Sequence, residues 1–173
     1  WQPTDPTEPG NPYGASKLAG ERLAAEAFAE RPGPAFGIAR TAWLFGSPGA
    51  DFPSRILAAA ARSLDGAPPL RIVGDEWGTP TYTRDLAEAI VDLLAEDAVA
   101  GIHHIVNGGL ATRSGWARDA IERAGLTVEI VEILAADWSR PSAVPPRAIL
   151  APTPLPYGAP LRAWPEAMAD YAP

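Results

Sequence analysis

Apolar and polar positions along this chain fall into blocks of two periods, one near 3.6 and one near 2, separated by proline and glycine. The first block, from about Pro12 to Glu30, is rich in Ala, Leu and Glu and predicts a helix. Asn11 stands where a cap belongs, and Pro12 fits the first turn, where a missing N–H costs nothing. The run Arg31-Pro32-Gly33-Pro34 stops that helix. Ala35 to Phe45 is mostly apolar and predicts a buried strand of a parallel sheet, followed by a turn. Asp51 caps a second helix with Pro53 in its first turn, reaching about Leu64. Leu70–Val73 is a short strand, and Gly74 to Thr81 a tight loop. Leu86, Ile90, Leu93 and Leu94 recur at helical spacing and predict a stripe facing the core.

Further along, Gly101 to Val106 predicts a strand and Asn107-Gly108-Gly109 a turn. A helix from about Ser114 to Ala124 turns Trp116, Ala120, Ile121 and Ala124 inward, and Gly125 ends it. Thr127 to Leu134 alternates as a strand with one wet face. Residues 139–160 are proline-rich with little periodicity. A last helix, Pro165 to Tyr171, packs Trp164 and Met168 on one side.

Composition narrows the classes. The 173 residues suffice for one ordinary domain with its own core. Hydrophobic residues make up 47% and charged residues 20%, a globular balance. The net charge of −7 argues against non-specific binding to nucleic acid or an anionic membrane, since both require a basic surface. The chain has no cysteine, which excludes disulfides, thiolate zinc sites and cysteine nucleophiles together. His103 and His104 are strand neighbours, so they point to opposite faces and cannot chelate one metal; both read as structural. No apolar run reaches the roughly 18 residues of a membrane-spanning helix. The opening Trp1-Gln2-Pro3-Thr4 carries neither an initiator Met nor a leader, and reads as a piece of something longer.

Chemistry concentrates at Tyr13 and Lys17. Four residues apart, they share one helix face. A free phenol with a pKa of about 10 is a poor acid–base catalyst at neutral pH. A neighbouring ammonium favours the phenolate, which suits the pair to passing a proton to or from a carbonyl or alcohol oxygen.

The full run Asn11-Pro12-Tyr13-Gly14-Ala15-Ser16-Lys17, with Glu21 following, resembles the active-site helix of the extended short-chain dehydrogenase/reductase superfamily. The entry loop with Pro3, Asp5, Pro6 and Glu8 is similar to the loop preceding that helix. The resemblance implies that Tyr13 is the general acid/base and that Lys17 lowers its pKa and holds the nicotinamide ribose. Arg40-Thr41-Ala42-Trp43-Leu44-Phe45-Gly46 resembles the Arg-Thr-x-Trp-x-aromatic-Gly segment of the dTDP-4-dehydrorhamnose reductases, which implies a sugar contact for Trp43 and a cofactor contact for Arg40. Asp51-Phe52 stands where that subfamily usually has Asn-Phe, at the substrate; an acid there would repel a nearby phosphate or alter a base contact. Asp75-Glu76-Trp77-Gly78-Thr79-Pro80-Thr81 resembles its Asp-Gln-x-Gly-x-Pro-Thr loop, with Glu76 in place of Gln, implying that Asp75 and Trp77 meet substrate. Residues 143–150 loosely resemble its Arg-Pro-x-x-Ser-x-Leu segment, whose arginine is missing or displaced to Arg140 or Arg147; Arg147 is the candidate substrate contact. The residues alone leave Trp43 open to being a core aromatic, Arg40 to being a structural ion pair, and the 75–81 loop to being a plain turn.

No Gly-x-Gly-x-x-Gly, Gly-x-x-Gly-x-x-Gly or Walker-type loop occurs in the chain, although a dinucleotide's pyrophosphate normally sits on such a turn. The Ser/Thr that usually completes the reductase site lies upstream of the tyrosine and is not identifiable. The resemblance therefore covers nearly all of this chain but only the C-terminal half or more of a whole reductase. The expected fold is α/β: a partial Rossmann-like doubly wound parallel sheet with a small C-terminal α/β substrate-binding lobe. Residues 1–66 would belong to the dinucleotide-binding domain and 67–173 mainly to the lobe. The resemblance implies a cytoplasmic oxidoreductase using NADPH or NADH on a nucleotide-sugar substrate, with no metal. Its partner would be the missing N-terminal half or a copy of itself. A sugar-nucleotide epimerase or dehydratase, or a non-catalytic binding or regulatory module, are the alternatives.

Overall fold

The computed structural model describes residues 1–29, 33 and 35–171. Of the expected helix stop, Glu30, Arg31, Pro32 and Pro34 lie outside the described residues. Five α-helices appear among the described residues: α1 (Pro12–Ala29), α2 (Phe52–Leu64), α3 (Thr83–Ala95), α4 (Arg113–Arg123) and α5 (Trp164–Ala169). Local chemistry sets several of their ends. Asn11 Oδ1 accepts from Gly14 N at 2.7 Å, Asp51 Oδ1 from Ser54 N at 2.8 Å and Thr112 Oγ1 from Gly115 N at 2.9 Å, each satisfying an orphan amide of a first turn. Gly125, at φ 66°, follows the last turn of α4 in the left-handed conformation that ends many helices.

The strands are short and pair mostly in parallel. Gly37–Arg40 lies beside Gly101–His104, in register from Gly37 with Gly101 to Arg40 with His104. Leu70–Val73 lies beside Ile130–Ile133, and Leu44–Phe45 beside Thr81–Tyr82. Asn107–Gly108 pairs with Leu161–Ala163. Trp77–Gly78 is flanked by Arg147–Ala148 in parallel and by Ala111–Thr112 antiparallel. Parallel neighbours require long crossovers, and α2, α3 and α4 fall within them.

Two apolar clusters form the core. One gathers Phe45, Trp116, Ala120, Trp164 and Met168, where α2, α4 and α5 meet. The other packs Ala89 and Leu93 of α3 on Ile105 and Leu155. Helix α1 belongs to neither. It has no buried residue, and Leu23 is 66% exposed.

Several expectations change. The single strand over Ala35–Phe45 is two strands, Gly37–Arg40 and Leu44–Phe45, paired in different places. The break falls at Trp43, whose φ of 44° turns the chain out of the extended conformation. No residue of Gly37–Arg40 is fully buried, because among the described residues only one strand flanks it. The loop over Gly74–Thr81 contains ladder residues at Trp77–Gly78 and Thr81, and the turn at Asn107–Gly108 is likewise a short strand. Leu94 leaves the core stripe and is 61% exposed; Leu86, Ile90 and Leu93 keep their place. On α4, Ala117 is buried and Ala124 is exposed. No helix among the described residues is long and apolar enough to cross a membrane.

Candidate active site

Tyr13 and Lys17 occupy the first turns of α1, as their spacing dictates. The Lys17 ammonium sits 5.4 Å from the centre of the Tyr13 ring, within cation–π range. Tyr13 is 70% exposed. Among the described residues neither its hydroxyl nor the Lys17 ammonium takes part in a hydrogen bond or ion pair, so both polar ends face open space. Besides capping the helix, Asn11 donates from Nδ2 to the Ala143 carbonyl at 2.7 Å. That bond ties the catalytic candidates to the proline-rich segment containing Arg140 and Arg147.

Arg40, at the end of the strand Gly37–Arg40, meets the same helix further along, at Glu21. Its Nε and Nη2 both donate to Glu21, at 2.8 and 2.6 Å. The Glu21 hydrogen bond holds the guanidinium pKa above its ordinary value. The ion pair that the sequence left open for Arg40 is thus present, with Glu21 as its partner. Its strand partner His104 is buried, and burial followed by the nearby Arg40 charge keeps that imidazole's pKa low. His103 bonds the Val99 and Ala100 carbonyls through Nε2. Among the described residues no group of acidic or histidine side chains has the arrangement to hold a metal ion.

The most concentrated chemistry surrounds Trp43. Its indole stacks on that of Trp116, with centroids 5.8 Å apart and planes 9° apart. Gly78 gives it room, since a Cβ there would lie 2.3 Å from the ring. The Arg113 guanidinium carbon stands 3.7 Å from its ring centre and 5.1 Å from that of Phe52, which itself stacks on Trp116 at 4.8 Å. Beside this aromatic layer lies Glu76, only 2% exposed. Arg140 Nη1 donates to its Oε1 at 2.5 Å, while Arg113 Nε is 3.9 Å from Oε2. Desolvation lowers the Arg113 pKa to about 10, against the pull of Glu76.

The other candidates divide. The Asp51 carboxylate is engaged within the protein, accepting from Ser54 N, from Gly46 N at 2.9 Å and from the Tyr171 hydroxyl at 2.8 Å. Asp75 accepts from Ala135 N at 2.8 Å and stands in the wall of a cleft of about 390 Å³ beside Glu132 and Asp137. Trp77 and Arg147 face each other across a parallel ladder, and both are exposed. A larger cleft of about 440 Å³, between Arg84, Asp85, Tyr157 and Arg162, contains none of the predicted site residues.

Glu76, Arg113 and Arg140 are the residues that sequence reasoning left without a role. The first departs visibly from the resembled motif, and the third is one of two places for a displaced arginine. Arg113 had no signal, because its first position in a helix says nothing of the aromatic rings that meet it.

Comparison with known proteins gives the family and the fold. A family model described as "RmlD substrate binding domain" matches residues 1–172. A dTDP-4-dehydrorhamnose reductase of Mycolicibacterium smegmatis is 37% identical over 172 residues, covering 96% of this chain and 49% of the relative. The crystal structure of a dTDP-4-dehydrorhamnose reductase ortholog from Clostridium acetobutylicum superposes with a TM-score of 0.88 at 26% identity, covering 99% of this chain and 58% of that one. A dTDP-4-dehydrorhamnose reductase from Bacillus anthracis, solved in complex with NADP, matches with a TM-score of 0.85 at 24% identity over 98% of this chain and 58% of that one. The parallel pairs and their helices are thus part of a Rossmann-like reductase fold. The chain spans about half the length of the curated relatives it matches.

Proposed function

The chain belongs to the RmlD substrate-binding domain family, and from that premise we propose that it supplies the proton-transferring and substrate-binding part of an NAD(P)H-dependent reductase acting on the 4-keto group of a dTDP-4-dehydro-6-deoxy sugar. The observation that carries the reading is the start of α1, where a capped first turn presents Tyr13 and Lys17 together with their polar ends unengaged.

That donor set fits a nicotinamide ribose: an ammonium and a phenol one helical turn apart suit adjacent hydroxyls. The cofactor, NADPH or NADH, supplies the hydride for C4 when bound. Tyr13 gives its proton to the carbonyl oxygen as negative charge develops there. Lys17 would hold the ribose, with its ammonium facing the negative charge that proton transfer leaves on Tyr13. Arg40 keeps α1 on the sheet through Glu21. Trp43 and Phe52 form an aromatic wall for the sugar, with Trp77 and Arg147 at its exposed margin. Asp51 acts on that wall as the cap of the helix bearing Phe52, and Asp75 as the anchor of the Ala135 turn.

Residues 1–66 would belong with the dinucleotide-binding domain and 67–173 mainly with the substrate lobe. The apolar surface open on α1 supports association with an N-terminal half or a second copy. A cytoplasmic setting is consistent with such an enzyme.

The test is turnover. The protein at its natural length, given NADPH or NADH and a dTDP-4-dehydro-6-deoxy sugar, should oxidise the nicotinamide and yield the 4-hydroxy sugar. Epimerised or dehydrated product without net cofactor oxidation would overturn the reading.

A further inference from the structure

Arg113 holds a position that the proposed reaction does not use. Its guanidinium is desolvated between Trp43 and Phe52, with the side chain 24% exposed. Glu76 is its one carboxylate neighbour among the described residues, but that carboxylate is already bonded to Arg140 and stands beyond hydrogen-bond reach of Arg113. Two guanidinium charges thus share a single buried carboxylate. No side-chain hydrogen bond from Arg113 occurs among the described residues. A guanidinium carries its N–H donors in a rigid planar fork, and leaving them unmet in a desolvated place is costly. Desolvation has already brought the group's pKa down to about 10.

We propose that Arg113 is a specificity-determining residue of the sugar site, donating through its planar fork to a pair of neighbouring oxygens on the hexose. The inference rests on the reading of Trp43 as part of the sugar wall. The guanidinium carbon lies 3.7 Å from the centre of the Trp43 ring, which brings its N–H donors to the edge of that wall, beside a sugar packed there. Vicinal hydroxyls meet such a fork with two bonds; a hexose deoxygenated at those carbons leaves it unsatisfied. A site built to hydrogen-bond a substrate oxygen rejects the analogue that lacks it more strongly than an apolar pocket rejects a change in size. The substrate class is therefore a dTDP-hexose that keeps its 2- and 3-oxygens.

Calorimetric titration of the protein at its natural length, with three probes, tests this. The probes are dTDP, a dTDP-6-deoxyhexose bearing the 2- and 3-hydroxyls, and its 2,3-dideoxy analogue. The hydroxylated sugar should bind about 10- to 100-fold tighter than the dideoxy one, the range expected of hydrogen bonds to a charged group. Arg113→Met should erase that gap and leave dTDP affinity within about twofold. Arg113→Lys, which keeps the charge without the fork, should restore only part of it. Equal affinity of the unmodified protein for the two sugars overturns the proposal without any variant. Parallel loss of dTDP and sugar binding in Arg113→Met overturns it by assigning the guanidinium to the diphosphate. No binding of any probe removes the family-level function, and this inference with it.

Discussion

Glu21 grips Arg40 through both carboxylate oxygens, and this pair joins a helix with no buried residue to the parallel strand below it. Charge-assisted, two-point hydrogen bonds are the strong kind, and both side chains are largely shielded from water. With so little apolar contact on α1, the pair and the Asn11–Ala143 bond carry much of its placement. Glu21→Gln should lower amide-exchange protection across Pro12–Ala29 by about tenfold or more, with little change at Gly101–His104. Unchanged protection in α1 would mean that packing alone holds it.

Tyr13 and Lys17 separate by kinetics. In the protein at its natural length, Tyr13→Phe should cut kcat by about 10²- to 10⁴-fold and leave cofactor affinity nearly intact, since only the proton donor is lost. Lys17→Met should weaken cofactor binding and turnover together. A turnover number unmoved by Tyr13→Phe would make the tyrosine structural.

Asp51 links α2 to the end of the chain, and it titrates. Burial works to raise its pKa, but hydrogen bonds from Ser54, Gly46 and Tyr171 outweigh that and hold it below the ordinary carboxylate value. A carboxyl with a depressed folded-state pKa stabilises fully above its unfolded value of about 3.9, and the contribution is gone once the pH has fallen through the folded value. Asp51→Asn keeps a capping oxygen but removes the titration. It should flatten the acid limb of an unfolding free-energy profile below about pH 4. Asp51→Ala should cost about 1–2 kcal/mol at neutral pH through the lost cap.

Gly78 and Trp43 cannot both keep their places if a methyl is added. Gly78→Ala should displace the indole, costing about 1–3 kcal/mol as overpacking does, and change the near-ultraviolet circular dichroism of the tryptophan stack. A spectrum and stability like those of the parent would show that the ring has slack.

Tyr13 and Leu23 leave apolar surface open along α1, and Gly37–Arg40 is flanked by one strand among the described residues. Open strand edges and apolar faces recruit other chains. Sedimentation of residues 1–173 at micromolar concentration should therefore show self-association, abolished when a cofactor-binding half is supplied. A clean monomer of 18.2 kDa with cooperative unfolding would show that the chain closes its own surface.

Caps and motifs were legible because they are local. Asn11, Asp51 and Gly125 act on backbone within a few residues, so sequence spacing alone placed them, and the likeness of residues 11–21, 40–46 and 75–81 to a reductase family was visible by the same rule. Trp43 marks where that rule ends. An apolar run from Ala35 to Phe45 reads as one strand, but its break depends on partners: Thr81 N bonds the Trp43 carbonyl at 3.1 Å, while Gly78, Arg113 and Trp116 hold the side chain. Leu94 met the helical period yet found nothing to pack on, because periodicity fixes a face and not what lies opposite it. The sequence alone thus determined the helix starts, the shared helix face of Tyr13 and Lys17, and the family. Only the tertiary structure decided that Arg40 goes to Glu21, that Asp51 also accepts from the Tyr171 hydroxyl, and that Arg113 lies between two aromatic rings. Those outcomes are contacts between residues 19 to 120 positions apart, set by how parallel crossovers bring distant segments together.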